Sequence, residues 1–256
     1  MRITALAFLL ATILNAQAYR DLLLPESRKL TGVVVDQDGT PVKDAEIGHT
    51  EIRPIPGGST NTNTDAQGRF QVTTNAPLIV IRKPGFASAF LRTRDTNSGD
   101  PQRLVLKSTK RTMPICSPAE KAESLEGWGA SFRFAPKPNV KVGKQGHDID
   151  YGIRGYFVKT AKGEVGIAHG SGPMWSFGTP LDSDVWKSVT FEEVSFEVEG
   201  FRILDSKGES ADGTRWRTLG KFGETASYSK VDKETAKILD QFMDGACIAP
   251  FKRPGQ

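Results

Sequence analysis

The sequence is poor in the residues that build metal and redox centres. It holds 2 Cys and 3 His in 256 residues. So few cysteines exclude a disulfide-rich miniprotein and any four-cysteine zinc site. They are also far apart, nothing like the C-x-x-C of a redox dithiol. So few histidines leave little material for metal chemistry, and no metal or cofactor is expected. After the N-terminus there is no apolar run near the roughly 20 residues that a membrane-spanning helix needs. Charge of one sign is not concentrated either. The 34 basic and 30 acidic residues, a net +4, are mixed along the chain. A nucleic-acid binder usually gathers its positive charge into a stripe, so no nucleic-acid partner is expected. What remains is 38% hydrophobic and 25% charged, the balance of an ordinary globular protein. The length suits one large domain or two ordinary ones.

The one apolar run, Ala5 to Leu14, lies between Arg2 and Ala16-Gln17-Ala18. A positive start, a short apolar stretch and an A-x-A site are the parts of a secretory signal peptide. Residues 1–18 are therefore predicted to be removed, leaving Tyr19 as the first residue and 19–29 as an N-terminal segment. The expected location is periplasmic, cell-surface or extracellular. Removal takes away Arg2 and no acid, so the balance becomes 33 − 30 = +3. That gives no reason to infer an anionic partner. In an exported chain two cysteines usually pair, so Cys116 and Cys247 are expected to form a structural disulfide.

Residues 30–107 read as short strands and tight turns. Leu30 to Val35 is β-branched and precedes Asp36-Gln37-Asp38-Gly39; Thr64 to Gly68 is a second Asp/Gly turn before Arg69 to Val72. Leu78 to Arg82 and Arg103 to Leu106 are further strands. Such spacing, punctuated by Gly and Pro, predicts a β-sandwich. Asp36, Asp38 and Asp65 do not make an EF-hand, because the twelfth residue from Asp36 is Ile47 rather than glutamate. They are read as turn residues.

The order Gly32-Val33-Val34-Val35-Asp36, Gly39, Pro41-Val42, Ala45 and Ile47, followed by Thr64-Asp65, Gly68 and Phe70 and then by Lys83-Pro84-Gly85-Phe86, resembles the carboxypeptidase regulatory-like domain. The resemblance implies a seven-stranded transthyretin-like β-sandwich over residues 30–107. It also implies an accessory role in folding support or docking, since the family's module is appended to peptidases, receptors and many exported proteins. A zinc carboxypeptidase would need H-x-x-E. The residues three places after His49, His147 and His169 are Ile52, Asp150 and Gly172, so that activity is excluded.

Residues 108–115 read as a polar linker, and residues 116–250 as a second, antiparallel-β domain with two short flanking helices, mostly β overall. Ser117-Pro118-Ala119-Glu120 is a helix start, with Gly127 and Gly129 as stops. Period-two alternation over Ser131 to Phe134, Tyr151 to Lys159, Glu164 to His169, Val189 to Glu199 and Phe201 to Leu204 predicts strands with one wet face. Trp216 and Leu219 mark another. Val231, Thr235, Ile238, Leu239 and Phe242 share a helical face, with Ser229 and Asp232 as a capping box and Gly245 as the stop. The Cys116–Cys247 bond would close this domain end to end.

No catalytic motif emerges from the second half. His147 with Asp148 and Asp150 could serve acid–base chemistry, but His147 and Asp148 would face opposite sides of a strand. His169-Gly170-Ser171-Gly172 has glycines directly beside the serine, unlike the G-x-S-x-G nucleophile elbow. Gly220-Lys221-Phe222-Gly223-Glu224-Thr225 lacks P-loop spacing and reads as a turn before the helix. Trp175 at a Gly/Ser/Pro turn could be a sugar- or partner-binding platform. The candidate ligand-binding residues are therefore Trp175, His169, His147 and Asp150. The expected function is an exported, non-catalytic binding or accessory protein whose second domain takes a protein or a glycan at the cell surface or in the periplasm. The alternatives are a carbohydrate hydrolase using paired carboxylates such as Glu192, Glu193 and Asp205, with Trp128 or Trp175 on the rim, and a structural or assembly subunit.

Overall fold

The computed structural model describes residues 27–49, 62–74, 76, 78–96, 99–117, 131–134, 140–142, 146–148, 151–160, 163–171, 188–221 and 224–249. They are mostly β, as the alternating patterns predict. Two compact units form. One holds the described residues up to Lys83 together with Ser88–Ser108; the other holds Pro84–Ala87 and the described residues from Thr109 onward.

In chain order the first strands are β1 (Arg28–Asp36), β2 (Glu46–His49), β3 (Thr62–Asn63), β4 (Arg69–Thr74), β5 (Leu78–Arg82), β6 (Phe86–Ala87, in the second unit), β7 (Ala89–Arg92) and β8 (Gln102–Ser108). In the first unit β1 is flanked by β4, antiparallel, and β8, parallel. A second sheet runs β3-β2-β5-β7, all antiparallel. The inward side of β1 and β4 carries Leu30, Val34, Phe70 and Val72, and β5 is buried from Leu78 to Ile81. Both Asp/Gly turns form as the sequence predicts. Asp36 Oδ1 accepts the Asp38 and Thr40 N–H groups at 2.9 Å, and Asp65 Oδ1 accepts those of Gln67 and Arg69 at 2.9 Å. Gly68 has φ +71°, and a Cβ there would sit 2.3 Å from the Val34 carbonyl, so only glycine closes this turn.

The second unit contains β9 (Ser131–Phe134), β10 (Val140–Val142), β11 (Gly146–Asp148), β12 (Tyr151–Thr160), β13 (Gly163–Ser171), β14 (Ser188–Val198), β15 (Phe201–Ser210), β16 (Arg215–Lys221), β17 (Glu224–Val231), α1 (Lys233–Met243) and β18 (Ala246–Ala249). Its antiparallel sheet runs β10-β12-β13-β17-β16-β15-β14-β6, and β11 also pairs with β12. β9 and β18 form a separate two-stranded ladder. Helix α1 buries Ala236, Leu239, Phe242 and Met243 with Ile167, Phe196, Ile203 and Leu219 of the sheet and Phe132 and Phe134 of β9. Phe134 stacks on Phe242 with ring centroids 5.1 Å apart.

Several expectations change in this unit. β12 alternates as expected, with Tyr156 and Val158 buried and Phe157 and Lys159 exposed, but β16 is buried on both sides from Trp216 to Lys221. The helix cap is Asp232, whose side chain accepts from the Glu234 and Thr235 N–H groups. Ser229 is still in β17 and cannot serve. The turn at Lys221–Glu224 joins β16 to β17 and does not lead into the helix. The stretch expected as a linker is packed into the second unit. Met113 is buried in its core, and Pro114 O accepts from Ile248 N while Cys116 N donates to Ile248 O. Pro84–Ala87 joins the same unit because β6 pairs with β14 and Gly85 N donates to Ser195 O. The first of the two expected helices lies outside the described residues, as does Trp128.

Cys116 and Cys247 are disulfide-bonded across 131 residues of sequence. Their bond fastens β18 to the segment entering the unit. Replacing both with serine should cost about 2–5 kcal/mol of unfolding free energy, read by denaturant titration.

Candidate functional site

Two of the four candidate binding residues, Asp150 and Trp175, lie outside the described residues. His147 and His169 are placed by their backbones. His147 of β11 is opposite Gly152 of β12, and His169 of β13 is opposite Arg154 of β12 and Ala226 of β17. The two histidines thus sit on strands to either side of β12, in rows two residues apart. Their side chains lie outside the described part of the structure. Among the described residues no three His, Cys, Asp or Glu side chains form a group able to hold a metal ion.

The chemistry concentrates instead on a charged centre that sequence reasoning missed. β16 presents Arg217, Leu219 and Lys221 to the side of the sheet that α1 covers. Arg217 is 3% exposed. Its Nε and one terminal nitrogen donate to the two Asp205 oxygens, both at 2.8 Å. That nitrogen also donates to Asp244 Oδ1 at 2.7 Å. The other donates to Asp240 Oδ1 at 3.1 Å and to the Asp240 carbonyl at 3.3 Å. All five N–H groups that a guanidinium offers are therefore used. Arg111 adds a second guanidinium, to Asp205 at 2.9 Å and Asp244 at 2.8 Å. Tyr228 donates its hydroxyl to Asp240 Oδ1 at 2.8 Å.

The titration behaviour follows from this packing. Burial works against the charge of Arg217, but the Asp205 and Asp244 carboxylates outweigh it and hold the guanidinium above its usual range. Burial and the neighbouring Asp240 carboxylate push the Tyr228 hydroxyl up. Burial raises Asp244, yet the hydrogen bond and charge of Arg217, with help from Arg111, leave it below the usual carboxylate range.

A second charged pair closes the β16–β17 turn. Lys221 Nζ lies 2.9 Å from Glu224 Oε2, and both residues are 1% exposed. Glu224 Oε1 accepts the Phe132 backbone N–H at 2.9 Å, and Lys221 Nζ sits 5.7 Å from the centre of the Phe201 ring. Each partner thus has interactions beyond the pair itself.

The three carboxylates weighed for glycosidase chemistry separate. Both oxygens of Asp205 are occupied by guanidinium groups. Glu193 is buried and accepts from Ser206 Oγ at 3.1 Å. Glu192 is on the surface, 3.4 Å from Lys207. Glu192 and Glu193, as strand neighbours, face opposite sides of the sheet.

No family model matches the chain, and no curated protein matches it. The resemblance of residues 30–107 to the carboxypeptidase regulatory-like domain stands on its motifs alone.

Two outcomes follow for stability. Lys221→Met strands a buried Glu224 and should cost about 3–5 kcal/mol. Adding Glu224→Leu should recover most of that loss, read by chemical denaturation. Asp244 has a lowered folded pKa, so its contribution is complete above the unfolded value of about 3.9 and fades as pH falls through the folded one. The melting temperature should therefore drop as pH is lowered below about 4, and Asp244→Asn should flatten that dependence.

Proposed function

We propose that the protein is an exported binding or accessory protein with no catalytic chemistry of its own, and that it takes a protein or a glycan. The observation that carries this reading is the commitment of the buried carboxylates to structural partners. A hydrolase needs one acid free to protonate a leaving group and a second carboxylate facing it across a cleft. Asp205 is held by two arginines, Glu193 by a buried serine, and Glu192 lies on the opposite side of the sheet from Glu193.

Export is supported by the signal-peptide pattern of residues 1–18 and by the Cys116–Cys247 bond, which persists in oxidising compartments. The accessory role is supported by the motifs shared with the carboxypeptidase regulatory-like domain.

The test uses the full disulfide-bonded chain with polysaccharide and peptide libraries, following both binding and product formation. Saturable binding without product is the expected result. Turnover abolished by a single carboxylate change, such as Glu192→Gln, would replace this reading with the hydrolase alternative.

A further inference from the structure

The first unit gathers positive charge that is dispersed in the sequence. Strand alternation and the ladder registers decide which side chains share the outward face of the β4-β1-β8 sheet. Val33 is opposite Arg69 on β4 and Arg103 on β8; Thr31 is opposite Gln71 and Lys29 opposite Thr73; Val35 is opposite Val105. Lys107 continues the β8 row two residues beyond Val105. The inward face carries Leu30, Val34, Phe70, Val72 and Leu106, all buried. Lys29, Arg69, Gln71, Thr73, Arg103, Val105 and Lys107 are exposed on the other side.

Four cations therefore lie on one side of the sheet, where Val35, between the Arg103 and Lys107 rows, is itself buried. Arg69 and Arg103 stand across Val33, about 10 Å apart at the usual strand spacing. Lys29 lies about 13 Å from that row in one direction and Lys107 about 13 Å in the other. One acid, Asp65, meets this set, bonded to Arg69 Nε at 2.8 Å. Lys29, Arg103 and Lys107 make no ion pair with the described residues. Such a line of like charge is costly in self-repulsion unless an anion relieves it.

We infer that this face binds an extended anionic polysaccharide, a polyuronate in chemical class. The inference rests on the binding-protein reading above, places the binding surface on the first unit instead of the second domain, and names its partner. Three features select this partner. The cations are spread along the strands rather than focused on one point, which fits a repeating charge. Between them lie the hydroxyl and amide groups of Thr31, Thr73 and Gln71, which suit sugar hydroxyls. No aromatic residue stands among those of this face, so it offers neither the stacking platform of a single-stranded nucleic-acid groove nor the large apolar wedge of a membrane-surface anchor.

The experiment titrates the full disulfide-bonded chain with polyuronate oligosaccharide at low and high salt. Neutral dextran, a single-stranded oligonucleotide of matched charge and vesicles rich in anionic lipid serve as comparators. Binding to polyuronate that weakens with salt is expected, with none to dextran. Arg103→Glu with Lys107→Glu should weaken it about tenfold. Lys233→Glu with Lys237→Glu, an equal charge change on α1, should leave it within about twofold. Arg103→Gln with Lys107→Gln gives the same ranking should the reversal disturb folding.

The inference is overturned by absence of binding at low salt, by equal losses in the two charge-reversal pairs, or by tighter binding of oligonucleotide or vesicles. Depolymerisation of the polyuronate would instead overturn the non-catalytic reading, and so separates the two failures.

Discussion

The second unit is organised around the Arg217 guanidinium. Removing such a group from water costs several kcal/mol, an expense offset only when its donors are met and its charge is answered. Asp205 from the adjacent strand meets it in a two-pronged contact, while Asp240 and Asp244 reach it from the last turns of α1. Carboxylates at the C-terminal end of a helix oppose its dipole. Here the cations that would ordinarily sit on the helix itself come from elsewhere, Arg217 from the sheet and Arg111 from the chain entering the unit. Arg217 also donates to the Asp240 carbonyl at 3.3 Å, a second bond to an oxygen that already accepts the Asp244 N–H at 2.7 Å. One side chain thus ties the helix end to the sheet and neutralises its acids.

The same centre fixes how the unit is closed. Arg111 reaches Asp205 and Asp244; three residues after Asp244 comes Cys247, bonded to Cys116. Between these anchors Pro114, Cys116 and Ile248 exchange backbone hydrogen bonds. An ion pair, two backbone bonds and a disulfide therefore hold one short segment against another. At the other end of β16, Lys221 and Glu224 hold the turn into β17. A mis-registered pairing would bury either charge alone, so the pair opposes slippage of this strand. Trp216 adds a steric constraint. A Cβ at Gly208 would lie 2.6 Å from its ring, so the neighbouring strand must carry glycine there.

What was legible in the sequence had local causes. The Asp36 and Asp65 turns, the strand alternation and the apolar stripe of α1 depend on neighbours a few residues away. The Cys116–Cys247 bond was legible because the exported pattern left two cysteines and no other partner. Arg217 was not legible, because its partners Asp205, Asp240 and Asp244 stand 12, 23 and 27 residues away and Arg111 meets Asp205 across 94. One signal was present. Arg217 and Lys221 share a period-two row with Leu219, which places cations on the apolar side of a strand. The cap at Asp232 in place of Ser229 followed from how far β17 extends, a tertiary fact. The outward face of the first unit was hidden for the same reason: Lys29, Arg69 and the Arg103/Lys107 pair of β8 are far apart in sequence until the β1 registers align them.

The account holds that the charged centre at Arg217 builds the fold and takes no part in ligand chemistry. The most direct measurement is a double-mutant cycle of unfolding free energy with Arg217→Met and Asp205→Leu, with binding followed in parallel. The account predicts a loss of about 3–5 kcal/mol for Arg217→Met, a coupling of at least about 1 kcal/mol between the two sites, and unchanged binding at temperatures where the variants remain folded. An Arg217→Met protein of unaltered stability that no longer binds, or that loses a turnover the native chain possesses, would contradict it.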